Sequence, residues 1–243
     1  MGTCIVCGQQ DSPRCETCDS AFYCSKACKL ADWPIHRLLC ESYAAFNASE
    51  PRPDSDHFRA ILFYPVKRKP ELLWLFCKWH QWKYYPYQSP YMIALVGSKC
   101  EEKDIESPLL TPVANRRFGD EISISYRIKF MIDGSAPNKS IASITTTKPG
   151  CHSDWRGRIT AYGRVDSGPD GPHCRDLDMN DFPYIADFFL SSPPTLLLEQ
   201  PTAIGTGFKY TLARFVVVAV FAVIVKALVR HQGAITTQAP QNT

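Results

Sequence analysis

Residues 4–40 hold seven of the chain's eleven cysteines, and their spacing limits what this part of the molecule can become. Read with its gaps, the segment is Cys4-x2-Cys7-x7-Cys15-x2-Cys18-x5-Cys24-x3-Cys28-x7-His36-x3-Cys40. Eight soft or borderline ligands make two full tetrahedral zinc sets. A Cys-x2-Cys pair closes a tight turn that aims both sulfurs at one ion. Cys24/Cys28 and His36/Cys40 each stand four residues apart, the spacing that puts two ligands on one side of a helix. Ser25 is the expected N-cap of a helix through "SKACKLADW", and Pro34 is expected to end or bend it near Trp33.

Physical chemistry requires the metal. About forty residues bury too little apolar surface to fold alone, whereas structural zinc contributes roughly 10–16 kcal/mol of apparent binding energy per site. With protein ligands at all eight positions no coordination place is left for water, so the ions are expected to be structural and not catalytic. The first residues, "MGTCIVCGQQ", show no basic stretch followed by a long apolar core, so neither a secretory leader nor a disulfide framework is expected. Spacing alone leaves two ligand pairings open. One is sequential, with Cys4, Cys7, Cys15 and Cys18 on one ion; the other is interleaved.

The pattern resembles the MYND zinc finger. "YCSKACKLADWPIHRLLC" is similar to the second half of that family, in which a helix carrying Asp-Trp precedes the final His and Cys. The resemblance covers residues 4–40 and implies the interleaved pairing. One zinc would take Cys4, Cys7, Cys24 and Cys28, and the other Cys15, Cys18, His36 and Cys40. It also implies a protein-interaction module that holds short proline-rich peptides, between the Trp of Asp-Trp and a Gln just after the sixth cysteine. Here those positions are Trp33 and Lys29, and Lys in place of Gln shifts the expected ligand toward a more acidic peptide. An aromatic surface suits such a ligand, because a preformed polyproline conformation loses little entropy on docking. The remainder of the chain loosely resembles uncharacterised MYND-finger proteins of filamentous fungi, which implies no activity.

The expected class is α+β: a two-zinc finger (4–40), a polar, proline-containing linker (41–56), and a β-rich or α+β domain (57–200). Within that domain "HFRAILFYPV", "ELLWLFCKW", "EISISYRIKFMID" and "RGRITAYGRVD" read as strands. "GSAPNKS" reads as a turn and "IASITTT" as a partner strand. "MNDFPYIADFFLSS" reads as a helix broken before Pro183, and "VKRKP" (66–70) as a polar turn between strands. No P-loop, nucleophile elbow or His-Glu-x-x-His motif is present, and no enzyme is expected.

Residues 212–229, "LARFVVVAVFAVIVKALV", are entirely apolar from Phe215 to Val225, with Arg214 and Lys226 near the ends where long cations snorkel. They are expected to form a transmembrane tail anchor followed by a polar tail (230–243), with the rest facing the cytosol. The alternative is burial in the domain core. "PLLTP" has the form of a finger ligand, with Pro108, Leu110 and Pro112 as anchors, and suggests self-association. A net charge of +3 argues against an electrostatic nucleic-acid binder. The expected function is an intracellular, zinc-dependent adaptor for a proline-containing peptide of a partner protein. Two alternatives are a soluble nuclear or cytoplasmic transcriptional regulator, and an enzyme with an unrecognised catalytic domain at 57–200.

Overall fold

In the N-terminal segment two helices follow the cysteine turns, α1 (Lys26–His36) and α2 (Cys40–Ser49). A computed structural model describes residues 1–81, 83, 85–96, 105–107, 109–110, 120–149, 154–165 and 171–191. Next come strands β1 (His57–Phe63), β2 (Glu71–Gln81) and β3 (Pro86–Pro90), then the short helix α3 (Ile93–Val96). Strands β4 (Ile105–Glu106), β5 (Leu109–Leu110) and β6 (Asp120–Arg127) lead to helix α4 (Lys139–Thr145). Strands β7 (Ile159–Val165) and β8 (His173–Arg175) and helix α5 (Phe182–Ser191) complete the described elements. The apolar stretch 212–229 and the tail 230–243 lie outside the described residues. No described helix is long and apolar enough to cross a membrane.

All strand pairings are antiparallel, in the order β3-β2-β1-β7-β6-β4, with β5 also on β6 and β8 also on β7. The sheet curls at the β3 end. The buried Gln88 side chain donates to the carbonyl of Cys77 and accepts from the backbone N–H of Cys174, tying β3 to β8. Gly171 permits this approach: its φ is +77°, and a Cβ there would stand 2.1 Å from the carbonyl oxygen of Pro86.

The period-2 alternation of the strands divides the apolar residues between two cores. On one face Ile61, Phe63, Ile122, Ile124 and Ile159 pack with α4 and α5 around Trp155, which stacks on Phe130 at 5.4 Å between ring centroids. On the other face a smaller core holds Ala60, Leu75, Cys77, Met92, Tyr162 and Cys174.

Three local expectations are corrected. "IASITTT" is the helix α4 and not a strand, because Asn138 caps it by accepting from the N–H of Ile141, and Ile141 and Ile144 then share one buried face. Pro183 does not break α5 but occupies its first turn, where a missing N–H is tolerated. Residues 41–56 are not all linker: α2 runs through Ser49, and Tyr43 on it is buried in the larger core. "VKRKP" lies in the connection between β1 and β2, with Lys67 paired to Glu71.

An ion pair holds the start of α5. Asp181 is fully buried and accepts from Arg175 Nη1 and Nη2 at 3.0 and 2.9 Å and from the backbone N–H of Asp178 at 2.9 Å. Removing one partner of such a pair leaves the other as an uncompensated buried charge. Asp181→Ala is therefore expected to lower stability by about 3–5 kcal/mol, read as a shift in the urea unfolding midpoint.

Candidate metal centre and peptide-binding face

Both Cys-x2-Cys turns are built alike. The N–H of Gly8 donates to the carbonyl of Cys4, and the N–H of Asp19 donates to the carbonyl of Cys15, each at 2.9 Å. Gly8 and Asp19 both take positive φ, 78° and 51°, which turns the chain back across the cysteine pair. Short bridges, Gly2 to Ser12 and Arg14 to Phe22, hold the two turns side by side. Ser25 caps α1, its hydroxyl accepting from the N–H of Cys28 at 3.2 Å, which places Cys24 just before the helix and Cys28 in its first turn.

Pro34 does not end the helix. α1 continues through it to His36, and Cys40 begins α2, so this pair of ligands bridges the turn between two helices instead of lying on one.

The folding brings the eight ligands into two groups. Cys4, Cys7, Cys24 and Cys28 form one, and Cys15, Cys18, His36 and Cys40 the other, with the ligand atoms of each group within 4.8 Å of one another. Zinc fits both. A tetrahedron with Zn–S bonds near 2.3 Å has edges of ~3.8 Å. The Sγ atoms of Cys7, Cys24 and Cys28 stand 3.4, 3.5 and 3.8 Å apart, and those of Cys15 and Cys40 stand 3.9 Å apart. His36 offers Nε2 at 3.9 Å from the Cys18 sulfur. The donor sets are those of structural zinc, and the finger holds two such ions.

Electrostatics within the groups calls for a cation. Burial pushes the Cys4 thiol up, but backbone N–H groups of Cys24, Cys7 and Val6 outweigh this and bring it down to about 6. Hydrogen bonds shared with Cys7 and Cys28 push Cys24 up to about 12. Burial, and then the charges of Cys18 and Cys15, push Cys40 up to about 12. The sulfurs of each group, four in the first and three in the second, thus compete for protons in one small volume, and a divalent ion resolves the competition by holding them as thiolates. Burial, with the charge of Lys29, lowers His36 to about 4 and keeps its imidazole neutral, the form that binds metal.

Sequence reading did not single out Asp32 and Tyr23 as neighbours of His36. Asp32 Oδ2 stands 3.8 Å from His36 Nδ1, the ring nitrogen turned away from the sulfurs, and accepts a 2.5 Å hydrogen bond from the Tyr23 hydroxyl. Tyr23 also meets the His36 ring edge-on at 5.6 Å. At 3.8 Å the Asp32 carboxylate lies outside hydrogen-bond reach of the imidazole, whose buried Nδ1 has no hydrogen-bond partner among the described residues. The sequence signal was the i, i+4 spacing of Asp32 and His36.

The two metal groups differ in surroundings. Cys7 and Cys24 are exposed, whereas all four ligands of the second group are buried. Cys15, Cys18 and Cys40 belong to the same apolar core as Ile61, Phe63 and Phe189, so the finger and the sheet share one interior. Ser20 adds a polar tie, its hydroxyl accepting from the N–H of Met179 at 3.1 Å.

Residues 4–40 match the family model of the MYND finger. They form a MYND finger. Curated proteins similar to this chain include "Ubiquitin carboxyl-terminal hydrolase 19" of Arabidopsis thaliana, 39% identical over 61 residues, which are 25% of this chain and 9% of that protein. "Tudor domain-containing protein 1" of Oryzias latipes is 41% identical over 59 residues, 23% of this chain and 5% of that protein. "SET domain and MYND-type zinc finger protein 6" of Schizosaccharomyces pombe is 42% identical over 45 residues, 18% of this chain and 9% of that protein. The chain thus spans less than a tenth of the length of each of these three. No solved structure matches the chain. MYND fingers are zinc-binding protein-interaction modules.

The expected peptide contacts sit on the outer side of α1. Trp33 is 42% exposed and its ring lies 5.8 Å from that of His36; Lys29, half-buried, stands one turn before it on the same side. Exposed Leu30 adds an apolar neighbour, three residues before Trp33. Leu110 of the proline motif lies in β5, its backbone in register with Ile122 of β6, while Pro108 and Pro112 lie outside the described residues.

Two outcomes are expected. Cys40→Ala, which breaks the buried group, should abolish the cooperative unfolding transition of the whole described unit. Cys24→Ala should lose one zinc by elemental analysis and keep the sheet's near-ultraviolet dichroism. Zinc ligation at about 10–16 kcal/mol equals or exceeds the roughly 5–15 kcal/mol stability of a typical domain.

Proposed function

We propose that this protein is a non-catalytic, membrane-anchored adaptor whose MYND finger holds a proline-containing segment of a partner protein across Lys29 and Trp33. The observation that carries the reading is Trp33: a large aromatic ring left exposed beside the zinc ligand His36, its ring 5.8 Å from that imidazole. A rigid aromatic surface next to a lysine suits a polyproline-type ligand with an acidic flank. The peptide is assigned to a partner and not to the chain's own Pro108–Pro112 segment, because β6 holds the backbone of Leu110.

The non-catalytic part of the reading draws on a groove of about 580 Å³ between the finger and the sheet. Its charged groups pair with one another: Arg14 with Asp19, and Arg52 and Arg59 with Asp176. Arg52 and Arg59 also lie over the Trp74 ring. That arrangement clasps the finger to the sheet. An active site would instead aim its ionisable groups at a substrate. Anchoring is assigned to residues 212–229, whose unbroken apolar run from Phe215 to Val225 leaves a helix without a polar face.

The test is titration of the full chain with a synthetic Pro-x-Leu-x-Pro peptide carrying an acidic flank. Trp33→Ala should weaken binding by at least tenfold, consistent with loss of an aromatic anchor worth about 2 kcal/mol or more. Lys29→Glu should weaken it chiefly at low salt. Unchanged affinity in Trp33→Ala would reject the peptide face.

A further inference from the structure

We propose that the hairpin formed by β2 and β3 is a lipid-contacting surface that seats on anionic headgroups. The inference rests in part on the anchored reading of residues 212–229, and it adds a second contact with the same bilayer. From Leu72 to Cys100 the sequence contains no Asp or Glu, while Lys78, Lys83 and His80 fall among aromatic residues. Among the described residues four of those aromatics are left at the surface. Trp79 is 44% exposed and Tyr91 57%, and Phe76 and Tyr85 are similarly open. Lys78 and Lys83 are exposed beside them.

The register shows why they stay outside. Gln88, opposite Trp79, turns inward to bridge Cys77 and Cys174, so the small core closes before it reaches the Trp79 ring. On the other face of the hairpin His80 stacks on Tyr87 at 5.0 Å. His80 also shares a 2.9 Å hydrogen bond with the Ser89 hydroxyl, which fixes the ring in place.

Tryptophan and tyrosine combine an apolar body with a polar tip and favour the depth of lipid headgroups. Lysines beside them add attraction to an anionic leaflet. The two hairpin lysines and a chain net charge of +3 are too few for binding led by a phosphate backbone, so lipid is favoured over nucleic acid. The apolar run from Phe215 to Val225, read independently from the sequence, would bring the same chain to a bilayer.

The test reconstitutes the full chain with vesicles of phosphatidylcholine, with and without phosphatidylserine, whose acyl chains carry bromine as a short-range quencher of tryptophan emission. Two signals are read together, co-sedimentation and quenching. Quenching should increase when phosphatidylserine is present, and Trp79→Phe should remove most of it while zinc content and sedimentation are unchanged. Lys78→Glu with Lys83→Glu should weaken the phosphatidylserine-dependent part by roughly tenfold or more. Equal quenching in Trp79→Phe and the parent, with sedimentation intact, overturns the hairpin contact and leaves the anchor standing. A chain that does not sediment at all overturns both. Trp79-dependent retention on single-stranded RNA, with no quenching by the vesicles, also overturns the lipid assignment.

Discussion

The buried zinc group is the interaction on which the rest of this structure depends. Cys15, Cys18 and Cys40 lie in the interior that also takes Phe63 of β1 and Phe189 of α5, so their ion is at once a ligand centre and part of a domain core. A finger of this size buries little apolar surface by itself. Here Tyr23, Leu39 and Tyr43 find their cover on the sheet, and the sheet in turn gains a wall. The exposed group around Cys7 and Cys24 is built from the same kind of turn but carries less of the fold. Two sites of equal chemistry thus have unequal structural weight.

The clasp between finger and sheet explains why the segment after Cys40 does not behave as a hinge. Arg59 lies over the Tyr43 ring at 4.8 Å and donates to Asn47 and Asp176, joining α2, β1 and the residues after β8 in one polar seam. The Trp74 indole adds a bond to the carbonyl of Glu50 at 3.1 Å and packs against Phe46. Because these contacts also stack arginines on aromatic rings, they hold even where water reaches the groove. The orientation of α1, and with it the direction in which Trp33 faces, is therefore inherited from the sheet.

The zinc ligands were legible in the sequence because metal chemistry tolerates few spacings, and the four longest strands because alternation over seven or more residues is a strong signal. Elsewhere the signals were local and tertiary contacts outweighed them. "IASITTT" is rich in β-branched residues, which favours a strand, yet the Asn138 cap and the burial of Ile141 and Ile144 one turn apart make it α4. Pro34 looked like a terminator, but ligation of His36 beyond it holds the helix together. Residues 41–56 looked polar enough for a linker, because the composition of α2 does not reveal that Tyr43 lies under Arg59 of β1 and Phe46 against Trp74 of β2.

Pro34 has one more effect. In a regular helix the carbonyl of residue 30 receives the N–H of residue 34, and proline has none to give. The Leu30 oxygen is left without its usual donor on a turn where both Leu30 and Trp33 face solvent. The outer side of α1 thus presents, beside an apolar side chain and an indole, a backbone carbonyl without its usual i+4 donor. Polyproline segments have few N–H groups, so such an acceptor is selective. In the proposed complex it would favour the ligand register that brings a non-proline residue opposite Leu30, and it acts through the main chain, so no substitution at Leu30 removes the carbonyl itself.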